Sequence, residues 1–309
     1  IKKKISGWGR RNFVLSKFVY IEKLSEFNNI IGQKGKLCIP RGLGRSYGDA
    51  AQLENEYVIK LNLKKEISIL GNQLKVSAGV SIDEILKFIL PLGYFLPVSP
   101  GSSKVTIGGA IAADVHGKNH LKDGSIGNHI TNIIIIDGKG EIRKLKPNSK
   151  NNDYFWATIG GMGLTGIILE ATITLKKVET SFIKVNTFIC NEIDYLLDLM
   201  QIKSKEFSYN VAWIDSFNQN FRGVLTCGEH ALKKDLNIIE NDFLFYDSNQ
   251  ILKPPKFLPD SLLNKFTIKA FNELWFQKSR LKKNNIQTIS QFFHPLDGIS
   301  NWNRIYGSQ

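Results

Sequence analysis

Only three cysteines occur in these 309 residues, Cys38, Cys190 and Cys227, and none shares a paired spacing with another. They are expected as buried or idle thiols in a reducing compartment, with no disulfide framework. No apolar run approaches the roughly 18 residues that a membrane span requires. The longest pure isoleucine run, Ile133–Ile136, reads as a buried strand. No arginine-rich helix or aromatic-basic module accompanies the net charge of +13, because the lysines are spread along the whole chain. That distribution argues against nucleic acid as a partner. It suits a solvated lysine-rich surface, an anionic membrane surface or a phosphorylated substrate. No internal repeat is visible, and no methionine stands at position 1, which leaves room for an upstream signal or anchor.

Glycine, by contrast, is concentrated where it is chemically informative. From Pro97 to Ile130 the chain carries Gly101, Gly108, Gly109, Gly117, Gly124 and Gly127, with Ala110, Ala112 and Ala113 beside the central pair. Without a Cβ, main-chain N–H groups can face a flat or anionic ligand closely. His116 and Lys118 follow at once, so the stretch predicts a large cofactor site ending in a reactive pair. A second loop, Pro40–Asp49, follows an apolar strand expected at Leu37–Ile39 and holds Gly42, Gly44 and Gly48 with Arg41 and Arg45. Its amides can form an anion nest, and its two guanidiniums can offset a pyrophosphate.

The Pro40–Asp49 loop, the first in chain order, is not a Rossmann turn. It has the spacing G-x-G-x-x-x-G and is followed by a strand expected at Tyr57–Leu61, whereas the dinucleotide fingerprint needs G-x-G-x-x-G between strand and helix. That literal spacing does occur at Gly161, Gly163 and Gly166. There the order is reversed, with a helix expected at Asp153–Ile159 before it and a strand at Ile167–Leu175 after it. The turn either simply enters a buried strand or passes close to the same bound cofactor.

The remaining signals are local. Ser81 and Glu84 form a capping box for a helix with Ile82, Ile85, Leu86 and Ile89 on one face, ended by Pro91 and Gly93. Ile130–Ile136, the turn Asp137–Gly140 and Glu141–Leu145 predict a hairpin. Beyond Lys176–Lys177 the texture changes: an amphipathic helix with Ile193, Leu196, Leu197 and Met200 on one face, then a loop broken by Pro254, Pro255 and Pro259. The length fits about two domains, and 42% hydrophobic residues suffice for real cores. A boundary is expected near residue 178, giving domains 1–177 and 178–309.

The two glycine loops, the helix Ser81–Leu86 and the segment Phe155–Gly166 resemble the PCMH-type FAD-binding domain of the vanillyl-alcohol-oxidase class. Gly7–Arg10, Arg41–Asp49, Gly108–His120 and Gly124–Ile130 are similar to the branch of oxidases that act on decaprenylphosphoryl-β-D-ribose. So are Asn264–Phe266, Glu273–Trp275, His294–Asp297 and Trp302–Arg304. A sugar-lactone or alditol oxidase, the alternative, would share the first domain and not these later motifs. The resemblance implies an α+β fold: a two-lobed FAD-binding domain followed by an incomplete α+β substrate (cap) domain.

By the same resemblance, Pro40, Arg41, Gly42, Leu43, Gly44, Arg45, Ser46, Tyr47, Gly48, Asp49 and Ala50 contact the adenine-diphosphate part of FAD. Gly101, Thr106, Ile107, Gly108, Gly109, Ala113, Asp114, Val115 and His116 approach the ring and ribityl chain, and Ile168 closes the site. Some relatives attach the flavin through His or Cys in the first loop; neither occurs between Pro40 and Ala50, so the FAD is expected to be non-covalent. The implied reaction is oxidation of a secondary hydroxyl on a sugar or lipid-linked sugar phosphate, a cell-wall precursor. His116, Lys118 and Tyr47 are the catalytic candidates. His116 positions substrate, takes its proton or only contacts FAD; Lys118 stabilises a phosphate or alkoxide; Tyr47 faces substrate or packs on the flavin edge. A zinc reading of His116 with His120 lacks an intervening Glu and a third ligand. A reductase that completes an epimerisation, a peripheral membrane contact and a location in the cytoplasm or at the inner membrane are also implied. Relatives continue past the equivalent of Gln309 with an active-site lysine and a cysteine, so the chain is expected to be a fragment. A truncated flavin-fold protein without independent activity is the corresponding alternative.

Overall fold

The structure is a computed structural model and describes residues 1–30, 36–149, 152–236, 242–248, 252 and 263–306. Its first lobe is a four-stranded sheet of β1 (Lys2–Ile5), β2 (Val14–Ile21), β3 (Cys38–Pro40) and β4 (Tyr57–Leu61), in the order β1-β2-β4-β3. The strand expected at Leu37–Ile39 is shifted by one residue, and Leu37 is exposed ahead of it. β4 runs parallel to both β2 and β3, so it is an internal strand, and its Val58 and Ile59 are fully buried. Parallel pairing requires the chain to cross over between β3 and β4, and that crossover is the first glycine loop.

The second lobe follows β5 (Ile67–Leu70) and β6 (Gln73–Ser77) with α1 (Ile82–Ile89), whose Ser81–Glu84 capping box forms as expected. Ile82, Ile85, Leu86 and Ile89 are all fully buried, and Gly93, at φ 76°, turns the chain after the short Leu90–Leu92 turn. β7 (Tyr94–Phe95), α2 (Ile107–Ala112), α3 (His120–Asp123), β8 (Ile130–Ile136), β9 (Ile142–Leu145), α4 (Asn152–Thr158), β10 (Ile167–Thr174) and β11 (Lys176–Lys177) complete it. β8 and β9 form the expected hairpin, and the antiparallel sheet has the order β5-β6-β10-β8-β9. Helix α4 precedes the Gly161–Gly166 turn and β10 follows it, the reverse of a dinucleotide fingerprint.

From β12 (Phe182–Cys190) onward, α5 (Ile193–Glu206), β13 (Tyr209–Ile214), β14 (Gly223–His230), α6 (Lys265–Arg280), β15 (Asn284–Thr288) and α7 (Ile289–Phe293) build a second antiparallel sheet, β13-β14-β12-β15. The architecture is mixed α+β. On α5 the inward face differs from expectation: Leu196 is buried but Leu197 is half exposed, and Ile193, Leu199 and Met200 provide the remaining contact. The expected loop prolines, Pro254, Pro255 and Pro259, lie outside the described residues.

Two cores position the site. Ile21 and Ile59 of the first lobe pack against Ile136 and Ile167 of the second, which sets the lobes side by side. The larger core joins α1, α2 and the second-lobe sheet to Ile183, Val185 and Tyr209 of the second sheet and to Phe292 and Phe293 of α7. The two sheets therefore share buried apolar surface. Cys190 and Cys227 are buried free thiols and Cys38 is a half-buried one.

Candidate functional site

Between the two lobes lies a cleft of about 430 Å³. The first loop supplies one wall with Pro40, Arg41, Gly42, Leu43, Gly44, Arg45, Ser46 and Ala50. The facing wall is α2 and its approach, with Thr106, Gly108, Gly109 and Ala113 of the expected set and Val105, Ala110 and Ala112 beside them. Met162, Gly163, Gly166 and Ile168 close a third side, so the reversed glycine turn does reach the cleft. Lys60, Asn62, Ala78 and Gly79 also line it; they sit in no glycine motif, and only the folded sheet reveals them.

The walls touch through glycine. A Cβ on Gly42 would lie 2.3 Å from Thr106 Oγ1, so the first loop approaches the α2 N-terminus only because that atom is absent. Thr106 itself caps α2, its Oγ1 accepting from Gly109 N at 3.2 Å. Gly109 is exposed, and a Cβ there would meet only that hydroxyl, at 3.0 Å. A backbone-lined slot with apolar Ile59 and Ile168 fits a flat ring system and an anionic linker.

The two arginines act differently from expectation. Arg41 donates Nη1 to Ala51 O and Nη2 to Ser6 O, both at 2.8 Å. Arg45 donates Nε to Lys104 O at 2.9 Å and stacks over Trp8 at 3.8 Å. Burial pulls both below the ordinary guanidinium value, with Asp297 partly restoring Arg45. These donors brace the loop, and what they lend an anion in the cleft is positive potential. The N-terminal Gly7–Arg10 motif is part of the same brace: Trp8 N and Gly9 N donate to Ser46 O and Tyr47 O.

Several expected contacts lie outside the cleft lining. Tyr47, Gly48 and Asp49 are on the exposed outer side of the first loop, and the Tyr47 ring stands 6.4 Å from Trp302. Gly101 is exposed in open space. Ile107 is buried in the main core and Val115 packs against it. Asp114, at φ 42°, accepts from Gly127 N at 3.0 Å and so pins the turn after it.

His116 and Lys118 have opposite surroundings. His116 is exposed, pairs through its backbone with Ser125, and has its ring 5.3 Å from that of His120. Among the described residues no group of three His, Cys, Asp or Glu side chains converges as a metal site. Gly117 between them is packed rather than free, since a Cβ would lie 2.9 Å from Ser99 O. Lys118 is held where the glycine segment meets the second sheet. Its carbonyl accepts from Asn210 N at 2.7 Å, and its ammonium donates to Phe292 O and lies 4.5 Å above the Phe292 ring. Among the described residues no salt bridge joins it to a carboxylate. Burial lowers it to about 8.

The later motifs clamp the second glycine segment. His294 Nε2 meets Ser99 Oγ at 2.8 Å, and Asp297 accepts from Ser102 Oγ, Ser103 N and Ser103 Oγ at 2.6–2.8 Å. Asn303 donates to Trp8 O at 2.8 Å, and Trp302 lies edge-on to Trp8 at 5.7 Å. The C-terminal residues thereby bind both loops.

The FAD binding domain family matches residues 20–146. Decaprenylphosphoryl-beta-D-ribose oxidase of Mycolicibacterium smegmatis is 37% identical over 318 residues, covering 99% of this chain and 69% of the relative. An uncharacterised protein in the mprA 5′ region of Streptomyces coelicolor is 32% identical over 49% of this chain and 41% of its own length. D-arabinono-1,4-lactone oxidase of Candida glabrata is 27% identical over 53% of this chain and 35% of its own length. Among the described residues no helix is long and apolar enough to cross a membrane.

Proposed function

Because this chain belongs to the family of FAD-linked oxidoreductases that includes decaprenylphosphoryl-β-D-ribose oxidase, we propose that it oxidises a secondary hydroxyl of a polyprenyl-phosphoryl pentose or related sugar. The observation that carries this reading is the extent of the likeness: it runs through the cleft and through the second sheet, over 99% of the chain. The likeness to the lactone oxidase covers 53% of it. Bound FAD supplies a hydride acceptor for the carbinol carbon. Gly42–Ser46 would hold it through backbone amides, and Pro40, Thr106, Gly108, Gly109, Ala113 and Ile168 through close apolar and backbone contact. His116 orients the carbinol and takes its hydroxyl proton. Lys118 meets the substrate phosphate or the developing alkoxide, an anion that would supply a counter-charge no described carboxylate provides. Tyr47, beside Trp302 at the surface, packs along the sugar. The ketone so formed is the substrate that a separate reductase would need to complete an epimerisation.

Rapid mixing of the flavin-loaded protein with a polyprenyl-phosphoryl pentose tests the reading through bleaching of the flavin. His116→Ala should slow bleaching at saturating substrate by about 10²–10⁴-fold, the usual contribution of general acid–base catalysis. Wild-type rates in that variant would reduce His116 to a cofactor contact. No bleaching of the wild-type protein by any sugar phosphate would overturn the substrate class.

A further inference from the structure

The end of α7 holds the turn from His116 to Lys118 at two points. Phe292 O accepts from the Lys118 ammonium, and two residues on, His294 Nε2 meets Ser99 Oγ at 2.8 Å. Ser99 lies directly against Gly117: a Cβ on that glycine would stand 2.9 Å from Ser99 O and 3.3 Å from Ser99 N. Past the glycine, Asn119 Nδ2 donates to Pro97 O at 2.7 Å. The Pro97–Ser99 segment is therefore the seat on which the turn rests, and His294 is the side chain that fixes its Ser99 end.

Packing alone does not account for an imidazole at this position. His294 and Ser99 are both 2% exposed, and His294 Nδ1 has no hydrogen-bond partner among the described residues. A buried polar atom left unpaired costs free energy that a third phenylalanine after Phe292 and Phe293 would avoid. Desolvation is the main cause that lowers the ring to about 4; Lys118 and Lys104 add to it, and Asp297 and Asp83 oppose it. The ring is thus neutral at neutral pH and sets no second positive charge near the Lys118 ammonium. Among the described residues its one side-chain hydrogen bond is to Ser99. We propose that His294 is a positioning residue: through Ser99 it seats the Gly117 turn, and so sets where Lys118 presents its ammonium and His116 its imidazole. What those two groups do rests on the oxidase reading; where the turn is seated does not.

The test has one arm that needs no substrate. Acetylation of Lys118 by acetic anhydride, followed by mass spectrometry across pH on the flavin-loaded protein, reads its titration midpoint, about 8 in the wild type. His294→Phe keeps a ring and removes the bond, and Ser99→Ala removes it from the other side. A turn released from its seat lets the ammonium reach water, so each should raise the midpoint by about one unit, toward the ~10.4 of a solvated lysine. The double variant should go no further than either single one, because the two side chains make one contact. His294→Gln, whose amide still reaches toward Ser99, should restore the wild-type midpoint. In the second arm, saturating polyprenyl-phosphoryl pentose should bleach the flavin about 10- to 100-fold more slowly in His294→Phe, with flavin occupancy unchanged, as misplacement by roughly an ångström does. Wild-type midpoints in both single variants would overturn the proposal and leave the pair a matter of stability, as would additive shifts in the double variant. Should His294→Phe fail to fold, Ser99→Ala carries the test. A wild type that no sugar phosphate bleaches would count against the oxidase reading and leave the acetylation arm to decide this one.

Discussion

Lys118 is a cation placed where water is scarce, with no carboxylate paired to it among the described residues, and its chemistry follows from that position. Burial lowers it to about 8, so its protonated fraction falls as pH rises through that value. Binding of a phosphate-bearing substrate should therefore be strongest below about pH 8 and weaken above it, measured as Kd or KM against pH. Lys118→Arg should flatten the profile because a guanidinium stays charged. Lys118→Ala should weaken binding about 10- to 100-fold at neutral pH, the loss of one charge-assisted hydrogen bond, and leave bound flavin in place. A wild-type profile in Lys118→Ala would make the side chain a packing element against Phe292. Glycines divide by a similar argument. Gly109 faces the cleft, so Gly109→Val puts a branched side chain where the proposed site places the cofactor and should abolish flavin binding. Gly140 sits in the β8–β9 turn at φ 84°, so Gly140→Ala should cost about 1–2 kcal/mol of stability and keep its flavin. Flavin absorbance and thermal melting of the two variants separate these outcomes; equal flavin in Gly109→Val and wild type would move the cofactor elsewhere.

Elements defined by near neighbours in the chain could be read before folding. The Ser81–Glu84 box, the four isoleucine and leucine positions of α1 and the β8–β9 hairpin depend on residues within a turn or two of one another, and each formed where periodicity placed it. The cleft-lining Gly42, Gly44, Gly108, Gly109, Gly163 and Gly166 were legible for the same reason, as local runs, while Gly79 was not. What could not be read is what distant elements do to those runs. Arg41 and Arg45 have the chemistry of phosphate ligands, yet Ser6 and Trp8 from the N-terminal strand region claim them. Lys118 is buried by α7, 174 positions away, and its altered acidity has no signal in its own neighbourhood. The His294–Asp297 motif grips the Ser99–Ser103 turn across some 195 positions. Asp297 satisfies three donors there, one of them the backbone amide of Ser103. Asp297→Ala leaves buried donors without acceptors and should lower stability by about 2–3 kcal/mol, read from denaturant unfolding. Asp297→Asn should recover part of that loss. An unchanged midpoint for Asp297→Ala would mean that the clamp contributes little to holding the two halves together.

At the scale of the whole molecule, the cofactor cleft is a seam: one wall comes from the first sheet, two from the second lobe, and the C-terminal motifs hold both loops from outside. A ligand filling such a seam binds the folded arrangement and has little affinity for the unfolded chain, so it stabilises by mass action. Whether it is also bonded covalently depends on the nucleophiles within reach. Among the described residues no histidine or cysteine lines the cleft, and Cys38, half-buried at the start of β3, has its thiol pushed up by burial, away from the reactive thiolate. FAD should therefore be held by contact alone. Heat or acid denaturation should release yellow flavin into the supernatant, while flavin remaining with the precipitate would show a covalent bond and overturn the assignment. The same logic predicts that melting temperature rises with added FAD. At 100 times its dissociation constant the ligand stabilises the fold by about 2.7 kcal/mol. That shift should vanish in Gly109→Val and persist in Lys118→Ala, because the first obstructs the seam and the second lies beyond it, against the second sheet.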